Sequence, residues 1–245
     1  MTSARKQFAR VAHAYATSRT HAKGEDLARL ATLVSGEAVI LDVGTGAGHA
    51  LAAVATGSRL AVGVDPTREM LAVARGVLEE RGVRAVLVEA DAAALPFATG
   101  AADAAVSRLA AHHFPRVADA FAEIARVLRP RGAFYLVDNH SPPDPELDRW
   151  LDTLERLKDP SHVRSHSLER WQELLRDAGL RPRVEATFHT DVVTEDWLAR
   201  SAASAASAQR ARAMLREAGP AAREVFRIRA DGFSLLKAII VATKA

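Results

Sequence analysis

The stretch VILDVGTGAGHA, residues 39–50, combines the residue types of a ligand-binding loop. A hydrophobic run ends in Asp42, and glycines follow at alternate positions, Gly44, Gly46 and Gly48. Such a loop between a strand and a helix lies at the edge of the sheet where open α/β proteins bind ligands, and glycine leaves its backbone N–H groups unobstructed. We expect the loop amides to receive an anionic group and Asp42 to lie near a cationic one.

The spacing of these glycines disfavours a dinucleotide and with it a nicotinamide oxidoreductase. The dinucleotide fingerprint G-x-G-x-x-G needs its third glycine three residues after the second, and here that position is His49. Two later acidic residues indicate a nucleoside instead. Asp65 comes 21 residues (65 − 44) after the first glycine of the loop, where a carboxylate can accept both hydroxyls of a ribose. Asp91, together with the amide of Ala92, would suit adenine.

Apolar runs alternate with segments of helical spacing along the first 140 residues. This alternation predicts a parallel sheet covered by helices on both faces. The runs are 38–43, 59–65, 84–90, 101–107 and 132–138, and the helical segments include 68–82 and 116–132.

The pattern changes after Asp138. A Pro-rich turn leads into a helix through Lys158, and a second helix is predicted from Ser167 to Ala178. Two further strands are predicted, with a helical segment between them. The strands are 183–193 and 233–243, and the helical segment is 194–222, in which the SAASAASA tract favours a helix because it lacks glycine.

Composition excludes several classes of protein. The chain has 245 residues with 49% hydrophobic residues, which suits one domain. Its 33 basic and 30 acidic residues are interspersed, whereas a nucleic-acid surface clusters its basic residues. Zero cysteines exclude disulfides, thiol nucleophiles and cysteine-bound zinc, and no metal site is predicted. Neither a signal peptide nor an apolar run of membrane-spanning length is evident, so we expect a cytoplasmic protein with no membrane partner.

The ordered motifs together resemble the class I S-adenosylmethionine-dependent methyltransferases, especially their UbiE-like (type 11) small-molecule group. The matching segments are LDVGTGAG (41–48), GVDPTREML (63–71), EADAAALPF (89–97), SRLAAHHF (107–114) and LRPRGAFYLVD (128–138). This resemblance implies an α/β fold with a doubly wound, mostly parallel, seven-stranded Rossmann-like sheet that ends in an antiparallel hairpin. It also implies a single domain, residues 1–245. The expected parts are N-terminal cap helices (1–35), a cofactor-binding core (36–140) and lid helices at 141–166 and 194–222.

The resemblance also implies S-adenosyl-L-methionine as the cofactor, with S-adenosyl-L-homocysteine as its product. Gly44 and Gly46 would approach the methionine moiety, and Asp65 the ribose. Thr45 replaces the usual Cys or Gly, in a contact made mostly by backbone. Tyr15, in a segment that resembles the N-terminal helix of the family, would contact the carboxylate end. The further predicted cofactor-binding residues are Ser18, His21, Asp42, Gly48, Pro66, Thr67, Met70, Asp91, Ala92 and Ser107.

Methyl transfer is an in-line displacement, and a phenol, carboxylic acid or amine acceptor must also lose a proton. Histidines at the carboxyl ends of strands are candidate bases: His113 first, then His112 and His140. The alternative for each is a helix cap or a backbone hydrogen bond. Arg108 is a candidate contact to an acidic substrate or a surface salt bridge, and Trp197 is a lid or core residue.

Three functions follow from these motifs. The first is methyl transfer to a small-molecule acceptor by a monomer or homodimer. The second is an RNA or other nucleic-acid methyltransferase, which is disfavoured because SRLA (107–110) stands where base-methylating members carry an Asn/Asp-Pro-Pro-aromatic motif. The third is a relative that binds S-adenosylmethionine without methyl transfer, because a fold and cofactor pocket do not fix the reaction. The acceptor atom stays open.

Overall fold

A seven-stranded sheet forms the centre of the computed structural model, which describes residues 24–199 and 203–245 together with Ala9. The strand order is β3-β2-β1-β4-β5-β7-β6. β1 to β5 are parallel, and β7 is antiparallel to both of its neighbours. The strands are β1 (Val39–Val43), β2 (Leu60–Asp65), β3 (Val86–Glu89), β4 (Ala102–Arg108), β5 (Leu128–Asn139), β6 (Leu180–Val193) and β7 (Gly232–Lys244). The predicted α/β sheet with its antiparallel hairpin is confirmed.

The described helices alternate with these strands and cover both faces of the sheet. A 3-10 turn, Ala111–His113, follows β4. The α-helices are α1 (Glu25–Val34), α2 (His49–Val54), α3 (Arg68–Glu80), α4 (Val117–Val127), α5 (Pro145–Lys158), α6 (Leu168–Asp177), α7 (Thr194–Ala199), α8 (Ala205–Arg216) and α9 (Pro220–Val225). Within the described ranges, no helix is long and apolar enough to cross a membrane.

Alternate residues of β1 pack into two separate hydrophobic cores, one on each face of the sheet. This is because successive side chains of a strand point to opposite faces. Ile40 packs in a cluster with Leu30 of α1, while Leu41 packs in another with Ile124 of α4. Burial on both faces explains why the strand sequence is a continuous apolar run rather than an alternating one. These two cores hold the ends of β1 and β4 in place, and the candidate site lies at those ends.

Two segments differ from the boundaries predicted by sequence. The predicted helix 116–132 ends at Val127, and β5 begins at Leu128. Pro130 explains this difference, because proline disfavours helical backbone at the residue before it. The segment 194–222 is helical as predicted, but it contains separate helices; Ser204 caps α8 by accepting a hydrogen bond from the amide of Ser207.

A third core joins α5 and the helices α7 to α9 to the end of the β6–β7 hairpin. Trp150 of α5 stacks on Phe226 with ring centroids 5.0 Å apart. Trp197 of α7 meets Phe233 of β7 edge-on at 5.1 Å. This apolar cluster attaches the helices that follow β5 to the sheet.

Trp171 fixes α6 against the end of β5. Its side chain is buried, and its indole N–H donates to the carbonyl of Asn139 at 3.1 Å. Its ring lies 5.9 Å from that of Phe121 in α4. This one side chain therefore joins two helices to the strand that carries Asp138.

We expect Trp171→Ala to lower the free energy of unfolding by about 3–5 kcal/mol, because it leaves a cavity and an unpaired carbonyl. Denaturant unfolding measures this change. Arg176→Ala, on the exposed face of the same helix, is the control and should stay within about 0.5 kcal/mol of the wild type. An equal effect of the two substitutions would contradict the anchoring role of Trp171.

Candidate active site

A cavity of about 260 Å³ lies at the carboxyl ends of β1, β2 and β4. This edge is the point where the strand order reverses, and open α/β sheets bind their ligands there. Many of the residues predicted from the sequence lie on its wall. The glycine loop and the end of β2 contribute Gly44, Thr45, Gly46, Asp65, Pro66 and Thr67. Other elements contribute Met70, Asp91, Ala92, Arg108 and His113. The structure thus brings most of the predicted site residues together.

The glycines make room in the loop rather than leave its amides open. Gly44 has a φ of 76°, and a Cβ there would lie 2.6 Å from the Cβ of Ala110. The amides of Gly44 and Thr45 donate to the carbonyl of Val64 at 2.8 and 2.9 Å, and that of Gly46 donates to Asp65. Contrary to the expectation of open donors, these amides are already paired, so the glycines contribute space and a left-handed backbone.

Asp65 holds the glycine loop and the start of α3 at the same time. One carboxylate oxygen accepts from the amide of Gly46 at 3.0 Å and the other from the amide of Thr67 at 2.8 Å. The residue is nearly buried, yet it lies on the cavity wall. A carboxylate held in this way is preorganised to face a bound group.

Asp42 lies beneath the loop and does not line the cavity. Its Oδ2 accepts from the hydroxyl of Thr45 at 2.7 Å. Burial raises the pKa of Asp42 to about 7, although the hydrogen bond from Thr45 and the charge of Arg108 oppose this rise. Its position is that of a support for the loop.

One unsatisfied hydroxyl belongs to a residue of the cavity wall. Thr67 lines the cavity, and its buried Oγ1 has no hydrogen-bond partner in the described part of the chain. The Oγ of Ser107, buried in β4, is likewise unpaired there and does not line the cavity. Because buried polar atoms are nearly always paired, the hydroxyl of Thr67 indicates a missing ligand or water.

Asp91 lies at the mouth of the cavity. Its Oδ1 accepts from the amide of Ala93 at 2.9 Å, and its Oδ2 lies 3.8 Å from the guanidinium of Arg116. Both charged side chains are more than half exposed. Asp91 therefore both shapes its turn and faces the opening of the cavity.

Arg108 belongs to a buried ion cluster rather than to a surface salt bridge. Its Nε donates to Asp26 of α1 at 2.8 Å, and Lys237 of β7 donates to the same oxygen at 3.2 Å. The next residue, Leu109, has a φ of 54°, an unfavourable conformation for a side chain of this size. Its amide donates to the carbonyl of Val137 at 2.8 Å, which holds this strained turn at the cavity wall.

His112 forms a buried ion pair with Asp138. Its Nδ1 lies 2.5 Å from Oδ1 of Asp138, and its amide donates to Oδ2 at 3.2 Å. Burial alone would lower the pKa of His112, but the carboxylate of Asp138 raises it on balance. The pKa of Asp138 is lowered, since the charge of His112 outweighs the effect of burial. The carboxylate of Asp138 thus favours the protonated form of His112, and this histidine does not line the cavity.

His113 has the opposite character, although it is the next residue. It lines the cavity, and its Nδ1 lies 3.2 Å from the carbonyl of Ser161 and 3.3 Å from the hydroxyl of that serine. Burial, together with the charge of His112, lowers the pKa of His113 to about 3. His113 is therefore neutral at the cavity.

The remaining predicted residues lie elsewhere. His140 contacts the carbonyl of Ser141 at 3.2 Å, and burial lowers its pKa. Trp197 is buried in the third core, and Gly48 packs against Ala74 of α3. None of these three predicted residues lines the cavity. The predicted contacts Tyr15, Ser18 and His21 lie outside the described residues.

The comparisons with known proteins agree with this geometry. The methyltransferase domain family matches residues 41–136. YcgJ, an uncharacterized methyltransferase of Bacillus subtilis (strain 168), is 36% identical over 222 residues, which cover 89% of this chain and 88% of YcgJ. The chain belongs to the class I S-adenosylmethionine-dependent methyltransferases.

Solved structures resemble this methyltransferase over nearly its whole length. The crystal structure of YcgJ matches with a TM-score of 0.85 at 33% identity, covering 89% of this chain and 97% of that one. The BH2331 protein of Bacillus halodurans C-125 matches with a TM-score of 0.84 at 30% identity, covering 90% and 99%. A demethylmenaquinone methyltransferase of Thermus thermophilus is 39% identical over 107 residues, 42% of this chain and 48% of its own. The protein is thus an enzyme of methyl transfer.

Sequence reasoning missed part of the methyltransferase site. Leu109, Ala110 and Phe114 line the cavity between β4 and α4. Their position directly after the fourth strand, within the motif SRLAAHHF, was a signal for them. Asp26 and Lys237 gave no such signal, because they lie 211 residues apart and meet only in the fold.

Buried histidines make the stability of the methyltransferase depend on pH. Burial, together with the charge of His112, lowers the pKa of His162 to about 3, from 6.5 for the free side chain. The folded state therefore binds fewer protons than the unfolded state below about pH 6.5, and the stabilisation is lost as the pH falls. Between pH 7 and pH 5, this histidine alone should remove about 2 kcal/mol from the free energy of unfolding.

We therefore expect His162→Gln to reduce the loss of stability between pH 7 and pH 5. Denaturant unfolding at several pH values measures this loss. His189→Gln, which changes an exposed histidine of β6, is the control and should follow the wild type. If His162→Gln kept the full pH dependence, the neutral buried state of His162 would be wrong.

Proposed function

We propose that this methyltransferase transfers the methyl group of S-adenosylmethionine to a small molecule bound beside His113. The observation that carries the proposal is a single cavity with the glycine loop and Asp65 on one wall and a neutral buried histidine on another. S-adenosylmethionine, when bound, supplies a methyl group on a positively charged sulfur. The residues of this chain then bind, orient and exclude water.

The cavity residues fit the cofactor that the family uses. The carboxylate of Asp65 offers a polar contact at the end of β2, and beside it lies Thr67, whose buried hydroxyl has no partner in the described part of the chain. Gly44 and Gly46 leave the space for the methionine moiety, and Met70 gives an apolar wall. We assign Asp65 to the ribose hydroxyls. Asp91 and Ala92 are assigned to the adenine, at the cavity mouth.

A small acceptor is supported by the helices after β5 and by one of the relatives. Helices α5 and α7 to α9 share a core of their own and are proposed to cover the acceptor as a lid. The relative from Thermus thermophilus, named for a small-molecule acceptor, agrees with this class. A cytoplasmic monomer or homodimer remains part of the proposal.

Calorimetric titration with S-adenosylhomocysteine and with NAD, side by side, tests the cofactor. Binding of S-adenosylhomocysteine alone would support the proposal, and binding of NAD alone would overturn it. Radiolabelled methyl transfer to a panel of phenols, carboxylic acids, amines and an oligoribonucleotide then tests the acceptor. Methylation of the oligoribonucleotide alone would favour a nucleic-acid substrate.

We expect Gly46→Ala to weaken S-adenosylhomocysteine binding at least about tenfold, or 1.4 kcal/mol. A Cβ at this position would lie 3.4 Å from Met70, at the cavity wall. Gly57→Ala is a matched control: this glycine also has a positive φ, 82°, but its Cβ would meet nothing within 4 Å. Both variants should lose similar stability, and only Gly46→Ala should lose affinity in calorimetry. Equal affinities would remove the loop from the binding site.

Asp65→Ala should weaken the same binding by about 1–3 kcal/mol, because ribose hydrogen bonds and the support of the glycine loop are lost together. Glu89→Ala is the control, since Glu89 is the register partner of Asp65 on β3 but does not line the cavity. Its affinity should equal that of the wild type. Unchanged affinity of Asp65→Ala would contradict the ribose assignment.

A further inference from the structure

Two elements of the cavity wall meet at the mouth through a pair of opposite charges. Asp91 belongs to the turn after β3, and Arg116 directly precedes α4. Both residues line the cavity, and the Nη2 of Arg116 lies 3.8 Å from the Oδ2 of Asp91. Both side chains are more than half exposed, so this contact lies where the cavity opens to solvent.

The guanidinium of Arg116 is held loosely by the described part of the chain. Its Nη1 lies 3.4 Å from Oδ2 of Asp119, three residues later, which is at the weak end of the hydrogen-bond range. An arginine side chain carries five N–H donors, and the described residues engage only a few of them. Exposed ion pairs are weak, so both contacts of Arg116 can be exchanged for a contact to a ligand.

Asp91 retains an acceptor beside this guanidinium. Its Oδ1 accepts a hydrogen bond from the amide of Ala93 at 2.9 Å. The distance of 3.8 Å between its Oδ2 and Arg116 is too long for a hydrogen bond. Because a carboxylate oxygen has two lone pairs, Oδ2 can accept from an N–H group of a ligand while Arg116 stays close.

Small side chains surround this pair on the cavity wall. Ala120, four residues after Arg116, lines the cavity from α4. The turn after β3 contributes three further alanines, Ala90, Ala92 and Ala93. Alanine leaves room for a flat ring and adds no polar side-chain atom. This end of the cavity therefore suits a planar heteroaromatic ring that carries an amino group, with the carboxylate of Asp91 at its edge.

Arg108 on the same wall differs from Arg116. Its side chain is almost fully buried, and its Nε lies 2.8 Å from Oδ2 of Asp26 in the ion cluster with Lys237. Arg108 is therefore part of the support of the wall. The exposed side chain of Arg116, in contrast, can rearrange when a ligand enters.

We propose that Arg116 is a cofactor-retention residue, whose planar guanidinium lies over the face of the adenine ring when S-adenosylmethionine is bound. This inference rests on the proposed function, which assigns Asp91 and Ala92 to the adenine. A cation is attracted to the face of an aromatic ring, and the flat group of arginine stacks on such a face. Asp91 accepts from the amino group at the edge of the ring. Arg116 then covers the base at the mouth, which slows the release of the cofactor.

Arg116→Ala should weaken S-adenosylhomocysteine binding about three- to tenfold in calorimetry, chiefly through faster dissociation, because a cation–π contact is lost. Displacement kinetics on immobilised protein measure the dissociation rate. Adenosine should lose affinity by a similar factor, since the contact is to the base. Equal affinity of the wild type and Arg116→Ala for S-adenosylhomocysteine, or a loss that adenosine does not share, would overturn the proposal.

Arg68→Ala is the matched control. Arg68 also forms an exposed ion pair, with Glu89 at 3.1 Å, but it does not line the cavity, so its affinity should equal that of the wild type. Asp119→Ala keeps Arg116 and removes its contact within α4. It should change affinity by less than about twofold. A loss as large as that of Arg116→Ala would show that Arg116 acts through α4 and would contradict stacking on the base.

Arg116→Lys keeps the positive charge and lacks the flat group, so it should recover only part of the affinity. Full recovery would show that charge alone is needed and would contradict the stacking. Denaturant unfolding of Arg116→Ala should match that of the wild type, because the side chain is exposed. Absence of S-adenosylhomocysteine binding in the wild type would refute the proposed function. Binding that Arg116→Ala leaves unchanged would refute this inference alone.

Discussion

In the sheet, β1 lies between β2 and β4, and the strand order reverses there. The chain therefore leaves the carboxyl end of β1 towards one face of the sheet and the carboxyl end of β4 towards the other. Val54 of α2 packs in the core of one face, and Ile124 of α4 in the core of the other. Among residues 24–199 and 203–245, no helix crosses the edge between them, and the cavity occupies that opening. The residues on its wall are therefore mostly loop residues immediately after strands, since only such residues reach the carboxyl edge from both sides. The rigidity of the site comes from the two cores beneath it.

The buried charges around this opening are paired, and two neutral polar groups beside it differ from them. Arg108, Asp26 and Lys237 form one cluster, and His112 with Asp138 forms a second. An unpaired buried charge would be costly, so each of these charges depends on its partner in the folded protein. His113 differs because it is neutral and faces the cavity. The hydroxyl of Thr67 differs because the described chain gives it no partner.

The sequence could predict the parts of this fold that depend on local pattern. Apolar runs bounded by turns place all seven strands, and the glycine spacing identifies the loop on the cavity wall. The predicted helix extended beyond the actual end of α4, because the helical spacing of apolar residues continues past Val127. Pro130 disfavours helical backbone at only the one or two residues before it. The open loop amides were also expected wrongly, because their acceptors, Val64 and the carboxylate of Asp65, lie on another strand.

Histidines 112 and 113 show why the chemistry of the site could not be predicted to the same depth. As adjacent residues after one strand they are equivalent in sequence. The pKa of His112 is raised by Asp138, 26 residues away, whereas burial and the charge of His112 lower the pKa of His113. His113 also lies directly after β4, while its Nδ1 is 3.2 Å from the carbonyl of Ser161 in the turn after α5. The two halves of the enzyme are therefore not independent modules. A substitution in the segment after β5 that moves the carbonyl of Ser161 therefore also changes the hydrogen bonding of His113 on the cavity wall.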